Sequence, residues 1–360
     1  MTKKKRALKI ISIAVLCILL VALGVILFLK NQMSKLPELT FDEALKYTTR
    51  NNKNAIITVG ILKDGQSSFQ VYGENGEELP EERHIYEIGS ITKTFTASLI
   101  SKAIQEDKIN SDNTIDNYLN LPEGKHYPTI KQLLTHTSGY KAYYFEAPMI
   151  SNFFAGRNDF YGISDEMLLK KITDINLRDK DYSFNYSNFG FAVLGSVLEV
   201  VYQQEYPILM NTYIHEELQL QNTKISDKSG DLGHYWDWRE GDAYLSAGAI
   251  TSDIADMLSY AQMQFDGSDY MKQCHESLRV INASNSSYKA MGINLDEIGM
   301  SWIIDKTNNL IWHNGGTGDY NSYIGFSPDS RTAVIVLSNL APNYRIPATV
   351  LGIKLLQSQQ

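Results

Sequence analysis

Tyr86-Glu87-Ile88-Gly89-Ser90-Ile91-Thr92-Lys93-Thr94-Phe95-Thr96-Ala97 is the stretch on which the reading of this chain turns. Ile91, Phe95, Leu99 and Ala103 recur four residues apart, which places them on one face of a helix beginning near Ser90. Ser90 and Lys93 stand three apart at its start, so the lysine amine can approach the serine oxygen from the same face. A serine hydroxyl is a poor nucleophile until a nearby base takes its proton. A lysine can do so only if burial or a second cation lowers its pKa. The helix start also offers backbone N–H groups where negative charge would develop on an attacked carbonyl.

Spacing alone does not single out this pair, because Ser286 and Lys289 repeat it. That second pair lies between Ile281 and Ala290, a Ser/Asn-rich stretch without helical periodicity, so the sequence predicts a turn-like setting there. Two further motifs separate the pairs. Tyr186-Ser187-Asn188 lies between Asp181 and an apolar helical run from Phe189 to Val201, where a loop can present a phenol and an amide. Taken alone it is a buried tyrosine followed by a helix-capping serine or asparagine. His313-Asn314-Gly315-Gly316 follows a strand-like Leu310 to Trp312. Glycines beside a strand let a ligand approach, and the Gly316 N–H would be free to point at a substrate oxygen; taken alone, the segment is a hairpin turn.

In this order the three motifs resemble those of the serine β-lactamase and penicillin-binding-protein superfamily: Ser-x-x-Lys, Tyr-x-Asn or Ser-x-Asn, and Lys-x-Gly or His-x-Gly. Tyr86 to Ala97 and Leu133-Leu134-Thr135-His136-Thr137-Ser138-Gly139 look like its class C β-lactamase and D,D-peptidase branch, over about Phe41 to Leu356. The resemblance implies that Ser90 is acylated and that Lys93 and Tyr186 share the proton transfers. It implies that Asn188 holds the acyl amide, that His313 faces the substrate carboxylate or leaving group, and that the N–H groups of Ser90 and Gly316 form the oxyanion hole. Many β-lactamases have lysine at the position of His313. A histidine of ordinary pKa, ~6.5, is mostly neutral at pH 7 and weakens recognition of an anion there. His136 is expected to be structural.

Outward from the motifs, Phe41, Ala44, Leu45 and Tyr47 predict a first helix, and Ala55 to Leu62 and Ser68 to Tyr72 predict strands around a Lys63-Asp64-Gly65 turn. Ser90 to Gln264 is mainly helical, with aromatic loops. Gly299 to Asp305, Leu310 to His313, Tyr320 to Phe326 and Thr332 to Leu337 predict strands, and Ile346 to Leu356 a closing helix. The fold class is therefore α/β (α+β): an antiparallel sheet built from both termini with an inserted helical region, β-lactamase/transpeptidase-like by the resemblance.

Lys3, Lys4, Lys5, Arg6 and Lys9 precede an uncharged run from Ile10 to Leu29, long enough at ~20 residues to cross a bilayer as a helix. Residues 1–30 are therefore expected to be an uncleaved anchor, 31–40 a linker, and 41–360 the hydrolase domain outside the cell membrane. The remainder of the chain holds 27 Lys and Arg against 41 Asp and Glu, a formal charge of −14, which disfavours a nucleic-acid partner. Cys17 lies in the apolar run, so Cys274 is expected to be a free, packed thiol. His215-Glu216-Glu217-Leu218-Gln219 lacks the second histidine of a zinc-protease helix, and no metal or other cofactor is expected. The expected function is a membrane-anchored serine hydrolase acting through an acyl-enzyme on cell-envelope material, D,D-carboxypeptidase-like or esterase-like. β-Lactamase activity and a non-catalytic penicillin-binding-type envelope protein are the alternatives. The expected partners are a small peptide, ester or β-lactam substrate and the cell membrane, through residues 10–29.

Overall fold

The computed structural model describes residues 36–359. The expected anchor and the first half of the linker lie outside the described residues. Among those described, no helix is long and apolar enough to cross a membrane.

The first hairpin is local chemistry. β1 (Ile57–Lys63) and β2 (Gln66–Tyr72) are joined through Asp64 and Gly65, both at positive φ (51° and 77°), the two-residue turn whose twist matches that of paired strands. The decisive pairing is long-range. β1 runs antiparallel to β12 (Thr332–Ser338), with Val59 opposite Val336, so the two ends of the domain share one sheet. β12 continues to β11 (Asn321–Ser327) and β10 (Leu310–Gly316), and every residue of β11 and β12 is buried.

That burial has two sides. Val334, Val336 and Tyr323 pack under the closing helix Ala348–Ser358, while Ala333, Ile335 and Ile324 face the helical region. A sheet covered on both faces needs apolar residues at every position, which is why β12 reads as a continuous run and not as an alternation. The helical side comes close. At Gly60 a Cβ would lie 2.7 Å from Ile254 Cδ1, so glycine lets the Ile254–Asp266 helix rest on β1.

Three details differ from the sequence expectation. Of the run predicted from Gly299 to Asp305 only β9 (Ile303–Asp305) is strand; β8 (Glu297–Ile298) precedes the run, with Ser301 between the two at φ 72°. A small sheet formed by β4 (Tyr86–Glu87), β5 (Lys224–Ile225) and β6 (Ile250–Ser252) was not anticipated, because strands of two or three residues show no period. Ser286–Ala290 is a one-turn helix, capped by Asn285 accepting from the Tyr288 N–H at 2.9 Å, so the second Ser-x-x-Lys pair is helical and not turn-like.

Candidate active site

β4 delivers Ser90 to its place. Ile88 bonds back to Ile250 (3.0 Å), Gly89 turns the chain at φ 50°, and Gly89–Ile91 form a 3-10 turn that leads into the helix Thr92–Gln105. Glycine is required at Gly89: a Cβ there would meet the Gly316 nitrogen at 2.5 Å. At Gly315 a Cβ would overlap the Ile88 carbonyl, which accepts instead from Ser322 Oγ at 2.7 Å. The end of β10 therefore lies directly against the backbone of Ser90. This brings the backbone of Gly316 beside the residue that precedes the serine.

Lys93 is fully buried. Its Nζ lies 3.0 Å from Ser90 Oγ and donates to the Ala247 carbonyl at 2.6 Å. The rings of Tyr186 and Phe191 stand 5.0 and 5.7 Å from the nitrogen, and no carboxylate pairs with it among the described residues. An ammonium ion buried without a counter-ion costs several kcal/mol, more than one carbonyl and two ring faces return, so the group loses its proton instead. Burial holds the Lys93 amine well below its usual range. The condition set by the sequence, a lysine whose pKa is lowered so that its amine can accept a proton, is met by burial.

Tyr186 reaches the serine because Ser187 caps the helix Asn188–Tyr202, accepting from the Gly190 N–H at 2.8 Å and donating to the Lys141 carbonyl at 2.7 Å. Burial pushes the phenol up, with the neighbouring Ser90 hydroxyl acting weakly the other way, so Tyr186 stays protonated at neutral pH. His136 braces this loop, as its structural expectation said. Its Nδ1 accepts from the Ser187 N–H (3.1 Å), its carbonyl accepts from the Asn185 N–H (2.8 Å), and its ring lies 4.5 Å from that of Tyr186. Burial, with Lys93 and His313 nearby, holds the His136 imidazole well below its usual range.

His313 is buried with its Nδ1 2.7 Å from the Asn314 carbonyl, and its ring stands 6.5 Å from that of Tyr186. Burial first, then the Lys93 amine, lowers it to about 3, with the Asn314 carbonyl opposing. The ring is therefore neutral at pH 7. Ser90, Tyr186, His313 and Gly316 line one cavity of about 850 Å³, together with His136. Lys93 sits beneath Ser90. Asn188 does not line the cavity: it is the first residue of its helix, and Asn185, three residues earlier, takes a place in the wall.

Sequence reasoning missed Glu87. It is almost fully buried three residues before Ser90, accepting from Thr317 Oγ1 at 2.6 Å and from the Trp236 N–H at 2.7 Å. Thr317 follows Gly316, so one carboxylate holds together the strand that leads to the serine, the turn that carries the Gly316 N–H and an aromatic loop. Burial pushes Glu87 up to about 7 against the two hydrogen bonds, and Asp319 adds to the rise. Its only sequence signal was a charged residue in an otherwise apolar approach to Ser90. His215, by contrast, bonds the Thr223 carbonyl at 2.9 Å, and Cys274 is a buried free thiol.

The family model described as Beta-lactamase matches residues 49–353. Protein flp of Staphylococcus aureus (strain MW2) is 25% identical over 288 residues, covering 72% of this chain and 53% of that protein. The chain thus spans about half the length of the curated relatives it matches. An octameric penicillin-binding protein homologue from Pyrococcus abyssi superposes with a TM-score of 0.67 at 22% identity, over 84% of this chain and 73% of its own. A beta-lactamase/D-alanine carboxypeptidase from Yersinia pestis gives a TM-score of 0.67 at 17% identity, over 91% of this chain and 98% of its own.

Proposed function

This chain belongs to the beta-lactamase family, and from that premise we propose that it is a serine hydrolase working through an acyl-enzyme on Ser90, D,D-carboxypeptidase-like or esterase-like, at the outer face of the cell membrane. The observation that carries this reading is the buried Lys93 amine, 3.0 Å from Ser90 Oγ with no acidic partner among the described residues. Its free lone pair takes the hydroxyl proton as Ser90 Oγ bonds to the substrate carbonyl carbon. The Ser90 and Gly316 N–H groups receive the oxyanion, and the leaving group departs with a proton handed on through Tyr186. Water then attacks the ester on Ser90 and gives up a proton, which Lys93 and Tyr186 pass to Oγ as the acyl–oxygen bond breaks. The anchor rests on the basic cluster and the apolar run from Ile10 to Leu29; protease added to intact cells should digest the domain, whereas a mature N-terminus beyond Lys30 in the medium would show a cleaved signal.

β-Lactamase activity is the second reading, favoured by the family and by the joint name of the Yersinia pestis neighbour. Neutral His313 counts against it, since a charge-assisted contact to a β-lactam carboxylate is roughly twice as strong as a neutral one. The test compares kcat/KM for nitrocefin, a D-alanyl-D-alanine peptide and a short-chain aryl ester, with Ser90→Ala as blank. The peptide or the ester should be turned over faster; nitrocefin fastest by a wide margin would make the protein a β-lactamase.

A further inference from the structure

The cavity at Ser90 has an unusual wall. β10 pairs with β9 only across Leu310, Ile311 and Trp312, so from His313 onward that side of the strand has no partner among the described residues and opens to the cavity. Opposite lies the segment from Ala283 to Leu295, closed on itself by Ala283 N–H to the Leu295 carbonyl (2.8 Å) and Leu295 N–H to Ser284 Oγ (2.6 Å). Its one-turn helix turns Ser286 and Lys289 to solvent, while Tyr288 and Met291 join the lining. Phe184, Ile293, Leu295, Ile303 and Val350 complete a mainly apolar, uncharged chamber continuous with the serine, with Asn185, Ser301, Asn321 and Thr349 as its neutral polar members.

No Lys, Arg, Asp or Glu is among the described residues that line this space. The one titratable side chain beside the scissile position that sequence would assign to an anion, His313, has Nδ1 committed to the Asn314 carbonyl. A carbonyl oxygen can only accept, so Nδ1 carries the ring proton and Nε2 of the neutral ring presents a lone pair. A carboxylate brought into the chamber would meet no cation, only neutral donors such as the hydroxyls of Ser301 and Thr349, and would face that lone pair. An alkyl or aryl group would exchange water for side chains of its own kind.

We infer that the substrate of this serine site carries an uncharged, apolar body next to the scissile bond: a medium-chain aliphatic or aromatic ester or amide, and not one with a carboxylate at that end. This rests on the reading of Ser90 as the nucleophile and selects the esterase-like form of it.

Two ester series test the inference on the full chain. p-Nitrophenyl acetate, butanoate, hexanoate and octanoate lengthen the acyl side; acetate esters of ethanol, butanol, hexanol and octanol, followed by pH-stat, lengthen the leaving side. Each buried methylene is worth up to about fourfold in kcat/KM, so at least one series should rise tenfold or more from its shortest to its longest member. A terminal carboxylate on that longest member should lower kcat/KM at least tenfold, and Leu295→Arg should restore the carboxylated ester while slowing its neutral twin. Two flat series, or a carboxylated ester as good as the neutral one, would overturn the inference while Ser90-dependent acetate hydrolysis left the nucleophile standing. Ser90-dependent turnover confined to D-alanyl-D-alanine peptides would overturn it too, and hydrolysis surviving Ser90→Ala would remove the reading beneath it.

Discussion

Ser90–Lys93 and Ser286–Lys289 share a spacing, and both pairs sit on helices. They differ in what surrounds them. Lys93 is sealed beneath Ser90, Tyr186 and Phe191, whereas Ser286 and Lys289 stand in water on a five-residue helix. A buried ammonium without a counter-ion gives its proton up and gains a lone pair to offer. Helical spacing therefore does not set the two pairs apart; burial of the lysine does.

That contrast can be broken most severely at the lysines. Lys93→Ala should lower kcat/KM on the order of 10⁴-fold, as loss of a base within a cooperating set does. Lys289→Ala, a surface change, should stay within about twofold. Equal effects, measured on one ester under one condition, would mean that burial does not distinguish the pairs. Replacement of Tyr186 by Phe comes next. It keeps the ring against Lys93 and His136 and removes only the hydroxyl, so the variant should fold normally and lose ~10²–10⁴-fold in rate. Near-normal turnover would return Tyr186 to packing alone.

The smallest effect concerns how far burial reaches back along the chain, to Glu87. Its carboxyl is raised from the usual 4.5 to about 7, so the folded protein holds that proton more tightly than the unfolded chain does. Stability from this group is therefore present below pH 4.5, is lost as pH rises through the window up to about 7, and is constant above it. A change of this size corresponds to roughly 3 kcal/mol. Glu87→Gln cannot ionise, and its amide can still accept from Trp236 and donate to Thr317. Urea unfolding at several pH values should show this variant gaining on the wild type by that amount between pH 4.5 and 7. A constant gap across the window would mean that Glu87 ionises as it would in water.

Much of the large-scale order was legible. The β1–β12 closure, the hairpin at Asp64-Gly65 and the helix after Ser90 follow from strand runs, a turn dipeptide and a four-residue period, all of which are local signals. What escaped was set by distant partners. β4 is two residues long and exists because Ser252 and Thr251 lie beside Tyr86 and Glu87. Asn185 lines the cavity beside Tyr186, and nothing in the spacing of the motif singled it out. The helix at Ser286 was missed because one capped turn has no period to read. Glu87 was missed because its two donors come from residues 149 and 230 positions away.

The most direct measurement is the mass of the protein after a fluorophosphonate, with the labelled peptide identified. One adduct is expected, on the peptide carrying Ser90; it should vanish in Ser90→Ala and persist in Ser286→Ala. Labelling that survives Ser90→Ala, or that maps to Ser286, would contradict the account, because it would place the reactive serine beside an exposed lysine.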